Sequence, residues 1–124
     1  MKTDSIFYWL FQSFPSIFFE LIDEPPQLAS AYQFTSIEVK QLAFRIDGVF
    51  LPGTNALELP IYFAEVQFQP DKKFYSRFFA EIFNYLDKTE LANDWRGVVI
   101  FPTRSVDTGE TRRYIELLNP QRVT

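Results

Sequence analysis

Asp47, Glu65 and Gln67 are the residues whose types and spacing could do chemistry in this chain. They fall within RIDGVFLPGTNALELPIYFAEVQFQ, residues 45–69, where two strand-like runs flank a loop built on Pro52-Gly53-Thr54-Asn55. Side chains alternate faces along a strand, so Glu65 and Gln67 point the same way, roughly 7 Å apart. A hairpin centred on Ala56 pairs positions whose numbers add to 112, which sets Asp47 against Glu65 and Arg45 against Gln67. Two carboxylates converging on one side of a sheet repel unless a positive charge sits between them. A hard divalent cation held by oxygen ligands answers that need. The same spacing also fits two solvated acids on the exposed face of an antiparallel sheet.

Composition narrows the chemistry. The chain has 124 residues, enough for one domain with one core, residues 1–124. It has no Cys and no His. That removes thiol nucleophiles, thiolate metal sites, the Ser-His-Asp triad and most zinc sites. Hydrolysis would have to rest on carboxylates and a metal that activates water. There is no Gly-rich phosphate loop. The net charge of −4 disfavours non-specific nucleic-acid binding, but the charge is uneven. Residues 95–124 carry five Arg against three acids, and that basic end is a solvated tail or a surface that could touch phosphates. The apolar N-terminal run lacks a basic start and a small-residue cleavage site, and no run approaches a membrane span. The expected location is cytoplasmic, with no membrane partner.

The elements that must position these residues follow from periodicity. Thr3-Asp4-Ser5 offers a cap for a helix whose stripe is Ile6, Phe7, Leu10, Phe11 and Phe14. Pro15 interrupts, and Ile17, Phe18, Leu21 and Ile22 continue the stripe. Glu20 lies off it, as a solvated acid or an extra acid near a metal. Strands are predicted over Gln33–Leu42, Ala43–Leu51 and Ile61–Phe68. Gly48 beside Asp47 marks a bulge or a close backbone approach. In the third strand Tyr62, Ala64, Val66 and Phe68 form one face, and Ile61, Phe63, Glu65 and Gln67 the other. Pro70-Asp71 opens the strongest helix, with Phe74, Tyr75, Phe78, Phe79, Ile82, Phe83 and Leu86 as a core-facing stripe and Arg77 and Glu81 opposite, spaced to pair. Leu91–Asp94 is a loop, and Arg96–Phe101 reads as a strand buried on both faces and parallel to the Glu65 strand. Tyr114–Leu118 fits strand or helix, and no clear terminal element follows. The predicted fold is α/β (α+β), with αβββαβ order and helices packed on a mixed sheet.

That order, with FRIDGVF, then YFAEVQFQPD, then the aromatic helix with Arg77, then WRGVVIFP, resembles the PD-(D/E)xK nuclease superfamily. It resembles more closely its recombination-promoting (Rpn-like) nuclease family, which is associated with transposases. The likeness runs from about Ser5 to Arg104 and implies a restriction-endonuclease-like core. It implies that Asp47 and Glu65, with the backbone carbonyl of Val66, hold Mg²⁺ (or Mn²⁺ or Ca²⁺), and that Glu20 matches an acid some members carry on the first helix. Gln67 stands where the wider superfamily has Lys, so it would orient a water without adding charge. Ile46 replaces the superfamily's Pro before the Asp. Relatives usually continue with further strands and helices, so the resemblance implies a chain shortened at its C-terminus.

The implied activity is metal-dependent hydrolysis of DNA phosphodiesters, with Arg45, Lys72, Lys73 and Arg77 as candidate phosphate contacts or, alternatively, plain surface charges. Cutting both strands of a duplex would call for a homodimer. The alternative is a catalytically weak or inactive remnant of the fold that acts as an interaction module through exposed aromatics of the first helix.

Overall fold

The structure, a computed structural model, describes residues 3–39, 44–67, 70–101, 111–119 and 122–124, with side chains for 6–36, 48–67 and the later segments. Its elements run α1 (Thr3–Ser13), α2 (Pro15–Leu21), a 3-10 turn (Pro26–Ala31), β1 (Tyr32–Val39), β2 (Phe44–Pro52), β3 (Ile61–Val66), α3 (Phe74–Lys88), β4 (Trp95–Ile100) and a second 3-10 turn (Arg112–Tyr114). The predicted αβββαβ order is present, and the strands form one mixed sheet in the order β1-β2-β3-β4. β1, β2 and β3 are antiparallel neighbours, and β4 joins β3 in parallel.

Proline writes the helix boundaries. Phe14 precedes Pro15 and is pushed out of the helical region, with φ −134° and ψ 68°, so the first helix breaks there. Pro15 then opens α2, where its missing N–H costs nothing. Asp23 turns the chain with a φ of 60°, a left-handed conformation that Asp tolerates better than most residues. Pro25 and Pro26 follow, and Pro26–Ala31 form a 3-10 turn.

Two apolar layers enclose the sheet. On one side Phe11, Phe18 and Phe19 from α1 and α2 pack on Phe50, Tyr62, Ala64 and Val98. Phe18 and Phe50 stack with ring centroids 4.2 Å apart. On the other side Phe74, Tyr75, Phe78, Phe79 and Ile82 of α3 pack on Val49, Ile61 and Phe63. The period-2 alternation of β3 therefore runs as read from the sequence, with Tyr62 and Ala64 on one side and Ile61 and Phe63 on the other.

Several expectations are corrected. α3 begins at Phe74, because Asp71 closes the preceding turn: its side chain accepts the Lys73 N–H at 2.9 Å and its carbonyl accepts the Phe74 N–H. Arg77 turns back to the Asp71 carboxylate, and Glu81, placed on the outer face by its spacing, is buried. Phe83 is the reverse case, 46% exposed at the margin of the stripe. In β4 only Gly97 and Val98 are fully buried. β4 is the last of the four strands, and residues 122–124 lie along it: Gly97 and Val99 donate to Arg122 and Thr124, and Thr124 donates back to Gly97. Tyr114–Leu118 is neither strand nor α-helix but a turn that packs Tyr114, Leu117 and Leu118 on the α3 cluster.

Candidate functional site

β3 ends at the site. Ile61 and Phe63 enter the α3-side cluster, and the two-residue repeat carries Glu65 to that same side. Glu65 is 8% exposed, so it is not one of two solvated acids. A carboxylate buried to that degree needs a cation, a proton or hydrogen-bond donors around it. Gln67 is half-buried, and its N–H donates to the Ile100 carbonyl at 2.9 Å, which continues the parallel ladder one residue past β3.

Across from β3, the pairs Gly48 with Ala64, Val49 with Phe63 and Phe50 with Tyr62 follow the register read from the sequence. One step further along both strands stand Asp47 and Glu65. On its other edge β2 is bulged. Thr35 pairs with Val49, but the next pair is Ile37 with Ile46, so Asp47 and Gly48 together oppose Ser36. Bulges of this kind bend a strand and re-aim the side chains at the bulge. The sequence offered a bulge or a close approach at Gly48 as alternatives, and both are present: a Cβ there would lie 2.8 Å from Phe34 Cε1. The side chains of Arg45 and Asp47 lie outside the described residues.

The remaining candidates are dispersed. Glu20 is exposed on α2. Its neighbour Phe19 packs on Phe50 and Tyr62, in the layer across the sheet from Glu65. Lys72 and Lys73 are exposed just before α3, beside Arg112 and Arg113. Arg77 is held by Asp71 and lies over the Phe74 ring, 5.6 Å from its centroid. Its hydrogen bond holds the Asp71 carboxyl below the usual carboxylate range, helped by the Lys73 N–H. Among the described residues no three acids gather into a metal-binding group.

Two features were not singled out from the sequence. Asn93 is buried in the loop before β4, and its side-chain amide donates to the Ala56 and Leu59 carbonyls at 2.9 and 2.8 Å. It ties that loop to the hairpin loop between β2 and β3. Asn in a turn is too common to signal such a role. Tyr32 donates to the Pro60 carbonyl at 2.6 Å, and burial raises the pKa values of Tyr32 and Tyr62. No helix among the described residues is long and apolar enough to cross a membrane.

Compared with known proteins, residues 3–124 match the model of a family described as a protein of unknown function, DUF2887. No curated protein and no solved structure matches the chain.

Proposed function

The chain belongs to the DUF2887 family, and we propose that it is a metal-dependent DNA endonuclease of the PD-(D/E)xK type, close to the recombination-promoting nucleases. The β2–β3 register is the observation that carries this reading. With Gly48 opposite Ala64, the next residues along are Asp47 and Glu65, at a bulge and at the buried end of a strand. An acid kept out of water at a strand end suits a ligand better than a surface charge, because a bound cation offsets the cost of its burial.

In this reading Asp47, Glu65 and the Val66 carbonyl hold Mg²⁺, or Mn²⁺ or Ca²⁺ in its place. The ion, when bound, supplies a water of lowered pKa and positive charge for a phosphate oxygen. Gln67 shares the Glu65 face and orients the attacking water through its side-chain amide. Lys72 and Lys73 neutralise phosphate charge, with Arg45. Arg77 serves chiefly to hold Asp71, as its ion pair indicates. Glu20, in the other layer, is left out of the ligand set.

Cleavage of plasmid or oligonucleotide DNA with Mg²⁺ tests this, comparing the wild type with Asp47→Ala and Glu65→Ala. Activity confined to the wild type supports the proposal, and equal activity in all three ends it. Calorimetric titration with Mn²⁺ adds a reading independent of turnover, since Asp47→Asn should abolish the binding.

A second reading draws on a different observation. Ile6, Trp9, Phe14 and Leu21 of the first two helices are each about half exposed or more, and Trp9 meets Phe14 edge-on. A protein without the metal chemistry could self-associate through this face. Sedimentation of the wild type against Trp9→Lys separates the two: a dimer lost in the variant, with no Mn²⁺ binding in either, favours the interaction module.

A further inference from the structure

The chain is acidic overall, yet it gathers cations in one groove. Lys72, Lys73 and Ser76 line one side, and Arg112, Arg113 and Tyr114 line the other. These six residues include four cations and no acid. The net charge is −4, so with these four set aside the remainder carries −8. All four basic side chains belong to exposed residues, and no carboxylate among the described residues is paired with them. The neighbouring Asp71 is engaged by Arg77 and by the Lys73 N–H.

The two sides are almost forty residues apart in sequence and are brought together by packing. The Tyr114 ring lies 5.2 Å from that of Phe79, and Leu117 and Leu118 join the same cluster. The chain end is held in turn by the bonds of Arg122 and Thr124 with β4. Four like charges held on a fixed surface repel one another and attract polyanions, and a hydroxyl and a phenol beside them add neutral donors. The groove lies at the start of α3, a few residues beyond Gln67 in the chain.

We infer that Lys72, Lys73, Arg112 and Arg113 grip the phosphate backbone of a nucleic-acid strand. Nucleic acid is preferred to other polyanions because the inference rests on the nuclease reading for its ligand. The grip itself requires neither Glu65 nor a metal. It reads no base sequence, since phosphate contacts position a strand without specifying it. The Arg pair adds bidentate phosphate geometry that the Lys pair lacks.

Fluorescence anisotropy with a labelled oligonucleotide in EDTA tests the grip apart from cleavage, over a salt series beginning at about 50 mM. Lys72→Glu/Lys73→Glu and Arg112→Glu/Arg113→Glu should each weaken binding at least about tenfold and lower the log–log salt slope by about 1 for each phosphate no longer neutralised. Lys88→Glu, at the far end of α3, should bind within about twofold of the wild type. The milder Lys72→Gln/Lys73→Gln and Arg112→Gln/Arg113→Gln, with circular dichroism, keep the comparison open if a reversal unfolds the chain. Wild type that does not bind, paired variants that bind as wild type does, or a poly-glutamate peptide that binds as tightly as the oligonucleotide would overturn the inference. Glu65→Gln separates the two proposals. Binding kept with cleavage abolished supports both, whereas intact cleavage in that variant overturns the metal site assigned to Glu65 and leaves the grip standing.

Discussion

Gly48 lies against the ring of Phe34: a Cβ at Gly48 would come within 2.8 Å of Phe34 Cε1 and 3.0 Å of Cζ. The ring packs on Tyr8, Phe11 and Phe50, so its retreat would disturb those contacts. Gly48→Ala should therefore destabilise the protein by about 1–3 kcal/mol through overpacking at the bulge. Thermal denaturation measures it. A melting temperature equal to the wild type would show that the bulge has slack. Phe34→Leu in the same background should recover part of the loss.

Glu65 sets a contrast between stability and activity. Its burial means that any group now compensating its charge is left behind in Glu65→Gln, an isosteric change. Cleavage and Mn²⁺ binding should fall below detection while the fold remains. Calorimetry and circular dichroism on one sample check both. Retained Mn²⁺ affinity would remove Glu65 from the ligand set.

Asn93 joins two loops that the chain separates by more than thirty residues. Asn93→Ala removes both donors to Ala56 and Leu59 and leaves two carbonyls in need of partners. The expected loss is about 1–3 kcal/mol, read from urea denaturation. Asn93→Asp should do no better, because a carboxylate cannot donate to a carbonyl.

Two ion pairs make stability fall in acid. Hydrogen bonds from Arg77 and Arg122 hold the Asp71 and Asp94 carboxyls below their usual range. A folded-state pKa below the unfolded one contributes stability above the unfolded value, which is lost as pH falls through the folded value. The loss should begin below about pH 4. Both pairs are partly exposed, so each contributes no more than about 1 kcal/mol and weakens with salt. Asp71→Asn and Asp94→Asn should flatten the acid limb of a stability–pH curve by that amount. An unchanged limb would assign the acid sensitivity to other groups.

Much of the fold was legible because it follows from local rules. Pro15 marks a helix boundary through the backbone alone. The alternation in β3 and the aromatic stripe of α3 follow from periods of 2.0 and 3.6. The hairpin register followed from the centre of its loop, because strand pairing about a turn is geometrically constrained. Asp47, Glu65 and Gln67 could be singled out for the same reason.

What tertiary structure alone decided concerns groups brought together across long stretches of chain. Glu65 and Glu81 read equally well as surface acids, and only the layers packed around them make them buried. The start of α3 was displaced from Asp71 to Phe74 by side-chain bonds that compete with the helix, and Arg77 was drawn to Asp71 by the same turn. Phe83 stands partly in solvent because a stripe of seven apolar residues is wider than the sheet surface it covers. Arg112 and Arg113 read as a solvated tail until Tyr114 and the leucines after it fold against α3 and set them beside Lys72 and Lys73. Periodicity determines which way a side chain faces along its own element. What it meets there depends on contacts whose sequence separation no local pattern encodes.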